Sequence, residues 1–496
     1  MEEQHNESYD HVLGYTWIFG GVQGMIILFN LVRNKFMALL IGAGGMGFNS
    51  LLISVQNFAS QCTNLGISFG AVPKLSDYYE QERQEELANY IQVIRLWSMI
   101  ASLLGFLFCV SVSPLINRYS FIWGNHTLHY AMLGVSVAML AITGGETAIL
   151  KATRRLGALA RVQVYTAIIS VFLSIPIYYY FRDSGVLPVI VLIAAMSMLT
   201  TIFYSYRLYP LHLHFNWHQM KEGADMIILG LAFIIAAAIG TGAEMVIRAF
   251  LNVEGGLDEV GLYNVGYLLT ITYAGMVFSS METDYFPRLS AISRDIIKTN
   301  EMVNKQMEVS LLLLSPLLVV LLTALPVLVP LLFSKEFLPV VAMAQVAVLA
   351  MYFKVLSLPI AYITLARRYS LSYLFLESSY FIVLVIAVVI GFRTWGIWGT
   401  GIALVVAHVA ELLIVGSYSY WHYEYRCTCA IVQYAAIQMV IGFTSYIVSC
   451  MTEGWLYWII EAVLTFTSTV YSIHILRQKT HLWEALKRKL QNLKSN

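Results

Sequence analysis

The sequence predicts an all-α polytopic membrane protein with about fourteen transmembrane helices, and three observations predict it. Of the 496 residues, 58% are hydrophobic and only 12% are charged, which is about half the charged share of a soluble domain. Ten stretches of at least 18 residues contain no Asp, Glu, Lys or Arg, and four further stretches contain one such residue each. Basic residues concentrate in alternate loops between these stretches. This composition excludes a water-soluble multidomain enzyme.

Each stretch is long enough to cross a bilayer core of about 30 Å, which takes about 20 residues of helix. We predict helices because a backbone in lipid must satisfy its own hydrogen bonds. The uncharged stretches are 11–32, 36–73, 96–117, 119–145, 162–181, 184–206, 226–243, 260–281, 309–334 and 427–452. The interrupted stretches are 337–366, 372–392, 394–420 and 454–476, which contain Lys354, Glu377, Glu411 and Glu461 respectively.

The distribution of Lys and Arg predicts the orientation of these spans. Fourteen spans place both termini on one side; the loops and tail on that side contain 21 basic residues, and the opposite loops contain four. We therefore expect both termini in the cytoplasm. Residues 477–496 are predicted to form a basic amphipathic cytoplasmic tail. The acidic N-terminus lacks the basic segment of a signal peptide, so we expect the first span to be retained.

A parallel internal repeat is predicted from five pairs of motifs separated by 211 to 215 residues. A unit of six helices restores the starting orientation, so the two copies are related by an axis along the membrane normal. We expect two six-helix bundles, 1–222 and 223–426, around a central cavity, followed by two additional helices in 427–476. Such bundles are typical of alternating-access transporters. The pairs are Arg33 with Arg248, Gly47 with Gly261, Pro73 with Pro287, Arg154-Arg155 with Arg367-Arg368, and Gly185 with Gly396.

Two equivalent arginines, Arg33 and Arg248, lie in or at the ends of predicted spans. A charged side chain in the bilayer costs about 2.5–3.5 kcal/mol, so it generally faces a cavity or a partner. A guanidinium group donates two parallel hydrogen bonds to phosphate oxygens. We therefore predict that Arg33, Arg248 and Lys35, with Asn30 and Asn34 beside them, bind the anionic head group of a substrate.

Two alternatives remain open for these cations. Glu244 precedes Arg248 by four residues, a spacing that lets the two pair on one helix face. Arg33 and Lys35 are long enough to extend to the membrane interface instead.

A second group of ionisable residues falls in predicted helices ten to twelve: Lys354, Glu377, His408 and Glu411. They either pair between helices or relay a coupling proton, and the same two roles are open to Glu244. We predict no cofactor and no metal site, because the five Cys have no ligand spacing. A net charge of +1 gives no basis for nucleic-acid binding.

Two segments carry a resemblance to a known group of transporters. They are LVRNKFMALLIGAGGMGFNSLLISVQNFASQCTNLGISFGAVPKLS, from residue 31, and GLYNVGYLLTITYAGMVFSSMETDYFPRLS, from residue 261. The chain resembles the multidrug/oligosaccharidyl-lipid/polysaccharide (MOP) exporter superfamily, and within it the O-antigen translocases of the polysaccharide transporter branch. The resemblance extends over nearly the whole chain.

This resemblance implies a flippase of the bacterial inner membrane, not an enzyme. Such proteins move an undecaprenyl-pyrophosphate-linked oligosaccharide, with membrane lipids around them and other polysaccharide-assembly proteins as candidate partners. By position, Arg33 best matches the cavity arginines of the related lipid II flippases, whereas the repeat supports Arg248. A proton, a sodium ion or the membrane potential remain open as the energy source.

Two other functions compete with flipping. A cation-coupled multidrug antiporter of the same fold relies on acidic cavity residues, and the first three predicted helices are nearly free of Asp and Glu. A membrane-bound polymerase, ligase or acyltransferase needs placed acid and base groups, and the outer loops are short and poor in them.

Overall fold

The computed structural model describes residues 2–120, 125–211, 223–367, 369–452 and 454–479, and within these ranges it contains helices and no strand. The chain divides into two compact units. The first comprises Met1–Asn264 with Leu331–Glu336, and the second comprises Val265–Pro330 with Phe337–Asn496. The predicted basic tail lies outside the described residues from residue 480 onward.

The described residues form fourteen α-helices. The first eight are α1 (Glu2–Thr63), α2 (Ile67–Glu80), α3 (Gln84–Ser120), α4 (Thr127–Ala152), α5 (Leu156–Phe181), α6 (Val186–Leu208), α7 (Ala224–Gly255) and α8 (Leu257–Tyr267). After a π-helical turn, Leu268–Thr272, follow α9 (Tyr273–Ile292), α10 (Ile296–Leu332), α11 (Val340–Ala366), α12 (Ser370–Tyr423), α13 (Cys429–Met451) and α14 (Trp455–Lys479).

Among the described residues, ten continuous helical segments are long and apolar enough to cross a membrane. Three of these segments contain a break in the helical backbone. The segment Val22–Thr63 turns at Gly42 (φ 65°, ψ −165°). The segment Leu156–Leu208 turns at Arg182–Gly185, and α12 turns at Trp395–Gly396. Gly42 and Gly396 have positive φ, which glycine adopts without steric cost.

The first break differs from the position that hydropathy suggests. The uncharged stretches are separated at residues 33–35, but the helix continues through Arg33 and Lys35 to Gly42. Charged side chains interrupt a hydropathy count without interrupting a helix, whereas a glycine with positive φ does interrupt it. Arg33 and Lys35 therefore lie within a helix and not in a connecting loop.

Two glycines allow α1 and α8 to touch through their backbones in the first unit. A Cβ atom on Gly47 would lie 1.9 Å from the carbonyl oxygen of Leu257, and one on Gly261 would lie 2.1 Å from that of Ala43. Next to this contact the Ser50 hydroxyl donates to Oδ1 of Asn264 at 2.8 Å. No side chain other than hydrogen fits at either glycine without moving a helix.

The helices pack their small and apolar faces inward and leave large apolar side chains outside. In the first unit a buried cluster from α2, α3 and α4 includes Leu75, Ile94 and Ile149. The opposite face of α3 exposes Leu103 and Leu107. In water such a surface would be costly, but in lipid it is favourable.

In the second unit the N-cap of α10 is Asp295. The backbone N–H of Lys298 donates to its carboxylate and holds the pKa of Asp295 below the ordinary value. The short connection between α9 and α10 therefore ends in a capped turn, from which α10 begins.

Candidate substrate pocket

The first unit contains an open pocket of about 380 Å³ lined by α1, α4, α5 and α6. Asn30 and Arg33 come from α1, so the structure brings together two of the five predicted head-group residues. The remaining polar side chains are neutral amides and hydroxyls: Gln23, Thr143, Thr147, Gln163, Thr166, Ser170, Ser197 and Thr201. Five aliphatic residues complete the lining.

Helical spacing explains why these polar groups share one pocket. Gln163, Thr166 and Ser170 are three and four residues apart on α5, so they lie on one helix face. Thr143 and Thr147 on α4 are four apart, as are Ser197 and Thr201 on α6. Each of these helices thus carries a polar stripe, and the three stripes meet opposite Arg33.

Among the described residues that line the pocket, Arg33 is the sole charged side chain, and none is Asp or Glu. The Nε atom of Arg33 is buried and has no hydrogen-bond partner among the described residues. Burying a donor without a partner costs about 1–3 kcal/mol. Among the described residues of the lining, no carboxylate therefore neutralises the guanidinium, and its Nε–H is left without an acceptor.

The other two predicted residues of α1 point elsewhere. Asn34 is buried and does not belong to the pocket lining. The ammonium group of Lys35 donates to the backbone carbonyl of Phe333, in the segment after α10 that belongs to the first unit.

Arg248 lies in a different environment, in which its charge is paired. Its guanidinium donates to the Glu244 carboxylate at 3.2 Å and to the Ser50 hydroxyl at 2.8 Å. Its side chain is 8% exposed, against 32% for Glu244. The i, i+4 pairing that the sequence allows is thus formed, although Arg248 also reaches a residue of α1.

The four ionisable residues predicted in the second unit come together. His408 and Glu411 are bonded through Nδ1 and Oε2 at 2.7 Å, and the ring of Tyr380 stacks on His408. Glu377 accepts from the Tyr373 hydroxyl at 3.1 Å. α12 folds back at Trp395–Gly396, so Glu377 on its first half lies beside Glu411 on its second.

Glu377 and Glu411 both line a small cavity of about 80 Å³ that α11 closes. Lys354 on α11 lies near enough for its charge to act on Glu377, His408 and Glu411. The cluster therefore contains two carboxylates that line one cavity, an imidazole bonded to Glu411 and an ammonium group near them. Among the described residues, no group of three or more His, Cys, Asp or Glu is arranged to hold a metal ion.

Sequence reasoning misses a second buried ion pair. Arg95 on α3 binds Glu146 on α4 through two N–H groups, at 2.8 and 3.3 Å, and each side chain is 2% exposed. Glu146 directly follows a predicted span, and Arg95 precedes another, so both resemble interfacial charges. The signal available in the sequence is that no proline interrupts Thr127–Ala152, and α4 indeed continues through Gly144, Gly145 and Glu146 to Ala152.

Comparison with known proteins identifies the fold and the family. A search of curated protein sequences gave no match. A solved structure of the lipid II flippase MurJ, in an inward closed conformation, is 13% identical with a TM-score of 0.68, covering 93% of this chain and 98% of that chain. An inward-facing multidrug resistance MATE family transporter of the MOP superfamily is 13% identical with a TM-score of 0.67, covering 82% and 96%.

A third structure, a complex of the MATE multidrug transporter DinF-BH, is 14% identical with a TM-score of 0.59, covering 83% of this chain and 95% of that one. The chain thus has the fold of multi-pass membrane transporters and flippases. The family model described as polysaccharide biosynthesis protein matches residues 36–342, more than half of the sequence. The chain belongs to this polysaccharide biosynthesis protein family.

Proposed function

We propose that the protein is a flippase that moves an undecaprenyl-pyrophosphate-linked oligosaccharide across the bacterial inner membrane by alternating access. The oligosaccharide is an O-antigen unit or the repeat unit of another surface polysaccharide. The observation that carries the proposal is the guanidinium of Arg33, whose buried Nε has no hydrogen-bond partner among the described residues, in a polar pocket whose described lining contains no carboxylate.

The physical task of such a protein is to replace water around the head group. Pyrophosphate and sugar hydroxyls cannot enter hydrocarbon unaided, because desolvating charged and polar groups is prohibitive. The pocket offers amides, hydroxyls and one guanidinium in place of that water, and the prenyl tail can remain in lipid. A guanidinium suits pyrophosphate because its planar donors match two phosphate oxygens.

The other predicted cations have smaller roles in this proposal. Arg248 must leave the Glu244 carboxylate before its whole charge is available to an anion. Lys35 must likewise leave the Phe333 carbonyl. We therefore assign first contact with the pyrophosphate to Arg33 and Asn30.

The test replaces Arg33 in a flippase-deficient strain that depends on this protein for its surface polysaccharide. We expect Arg33→Gln to lower the polysaccharide on the cell surface at least about tenfold at equal protein level, because one charge-assisted contact is worth about 1.5–3 kcal/mol. Arg161→Gln, which removes an exposed cation of the same unit, is the matched control and should retain near-normal output. Full output from Arg33→Gln would refute the proposal.

The multidrug antiporter remains the alternative function. An organic cation needs a carboxylate or aromatic face in its site, and the described residues that line this pocket include neither. Resistance to ethidium or a rhodamine dye conferred by the wild-type protein, without restoration of surface polysaccharide, would favour the antiporter.

We further propose that the second unit couples transport to protons. The bonded pair His408–Glu411 and the neighbouring Glu377 support a proton as the coupling ion, since imidazole and carboxylate groups both exchange protons. The other described titratable groups that lie next to these three side chains are Tyr373, Tyr380 and Lys354.

Proteoliposomes test this coupling. We expect a pH gradient to drive flipping in the wild type, and Glu377→Gln and Glu411→Gln to abolish the dependence on that gradient. Glu301→Gln, at an exposed carboxylate on α10, should leave it intact. If the two variants lower thermal stability but respond to the gradient as the wild type does, the cluster has the helix-pairing role.

The fourteen-span count and the repeat are also parts of the proposal. Dividing the three broken segments raises the ten apolar segments to thirteen, and α8 with α9 covers the remaining predicted span. The contacts of Gly47 with Leu257 and of Gly261 with Ala43 support the repeat, since a shift of 214 residues converts Ala43 into Leu257 and Gly47 into Gly261, which makes the two contacts reciprocal. Ser50 and Asn264 are 214 residues apart. Reciprocal contacts are expected near a two-fold axis.

A further inference from the structure

We infer that α5 provides a sugar subsite in the first unit, formed by Gln163 and Thr166, that recognises a neutral hydroxyl-rich sugar next to the pyrophosphate. This inference rests on the proposed function, since Arg33 in the same pocket is taken to hold the pyrophosphate.

The first observation is that both residues have unused hydrogen-bonding atoms. Oε1 of Gln163 and Oγ1 of Thr166 are buried and have no partner among the described residues. Both residues line the pocket of Arg33, whose Nε is unused as well. The pocket therefore combines an unused acceptor, an unused donor and a hydroxyl that can act as either.

That combination matches a sugar better than a second phosphate. A sugar hydroxyl donates one hydrogen bond and accepts others, so it satisfies an amide oxygen and a hydroxyl together. A phosphate group only accepts, and it would leave Oε1 of Gln163 without a donor.

The surroundings favour a neutral polyol over a drug-like cation. The hydroxyls of Thr143, Ser170 and Thr201 donate to carbonyls of their own helices at 2.7 to 2.9 Å, so their oxygens remain available as acceptors. The described residues of the lining include no aromatic ring on which a planar drug would stack.

The volume limits how much of the head group is recognised. About 380 Å³ is near the lower end of small-molecule sites. The pocket therefore holds a sugar next to the pyrophosphate, and the rest of an oligosaccharide must extend beyond it. Specificity for the head group is thus expected to depend on its first sugar.

Two soluble probes separate this subsite from the pyrophosphate site: farnesyl pyrophosphate, and farnesyl pyrophosphate carrying one N-acetylglucosamine. Binding to the full-length protein in detergent is measured by the ligand-dependent rise in thermal unfolding midpoint across a titration. We expect the sugar-bearing probe to bind the wild type at least about tenfold more tightly than the bare probe. The combined variant Gln163→Leu with Thr166→Val should lose this tenfold gain, since two hydrogen bonds are removed, and should bind the bare probe normally.

Matched variants separate a lost contact from a misfolded protein. Phe172→Leu changes an exposed side chain on α5 that lies outside the pocket and should retain the whole gain. Thr166→Ser keeps the hydroxyl and should retain it as well. If the combined variant does not fold, Gln163→Leu alone should lose part of the gain.

The outcomes distinguish the two proposals. A wild type that binds both probes equally, or a combined variant that keeps the tenfold gain, overturns the sugar subsite while leaving the pyrophosphate site standing. Failure of the wild type to bind either probe, or unchanged binding of both by Arg33→Gln, overturns the proposed function.

Discussion

The ion pair of Arg95 and Glu146 illustrates how a charge is accommodated inside a helix bundle. Besides the carboxylate, the Arg95 guanidinium donates to the carbonyls of Tyr209 and Pro210, and it lies 4.3 Å from the centre of the Tyr206 ring. The Ser205 hydroxyl donates a further bond to Glu146. Nearly every hydrogen-bonding atom of the pair is therefore satisfied, and the pair holds the end of α6 against α3 and α4.

Removing one partner should be more harmful than removing both. We expect Arg95→Met to destabilise the protein by about 3–5 kcal/mol, because Glu146 is then buried without a counter-charge. The combined variant Arg95→Met with Glu146→Leu should recover part of that loss. The measurement is the thermal unfolding midpoint of the purified protein.

The exposed pair of Arg154 and Glu80 provides the control, since its side chains are 70% and 53% exposed. We expect Arg154→Met to cost at most about 1 kcal/mol. Equal destabilisation by Arg154→Met and Arg95→Met would show that burial does not determine how much stability is lost when an ion pair is broken.

The candidate pocket shows which residue-level features are accessible from sequence. Arg33 is predicted because an ionisable residue in a span is rare and requires a cavity or partner. Gln163 and Thr166 are not predicted, because neutral polar residues are frequent enough in spans to attract no notice singly. The signal available in the sequence is that polar residues three or four apart, which share one helix face, occur on α4, α5 and α6 alike.

At the scale of helices, backbone breaks determine the architecture more than hydropathy does. The turn at Gly42 is fixed partly from a distance, since Glu336 accepts a hydrogen bond from the N–H of Ala43 at 3.3 Å. The contact between α1 and α8 also depends on the backbone, because the two helices are too close for any side chain larger than hydrogen at Gly47 or Gly261.

Gly47→Ala tests this contact. The new methyl group would overlap the carbonyl oxygen of Leu257, so we expect a strong loss of folded protein in detergent, measured by size-exclusion chromatography after mild heating. Gly24→Ala, in the same helix with nothing within 4 Å of the new atom, should be neutral or stabilising by up to about 1 kcal/mol. Equal yields of the two variants would contradict the close approach.

At the scale of the whole molecule, the asymmetry of basic residues predicts orientation. In a cysteine-free background, Asp183→Cys at the turn between α5 and α6 should react with a membrane-impermeant maleimide added to spheroplasts. Arg154→Cys, between α4 and α5, should react only after permeabilisation. Both positions are exposed, so accessibility of the side chain does not bias the comparison. The reverse pattern would exclude cytoplasmic termini.

The sequence by itself determined that this protein lies in a lipid bilayer and that its backbone is helical, since long apolar stretches must be helices in lipid. Tertiary structure alone decided the state of each buried charge. Arg248 is neutralised by Glu244, four residues away, and held by Ser50, which is 198 residues away. Arg33, in contrast, has no carboxylate among the described residues that line its pocket. Hydropathy depends on each residue and its neighbours in the chain, but the electrostatic state of a charge depends on its neighbours in space.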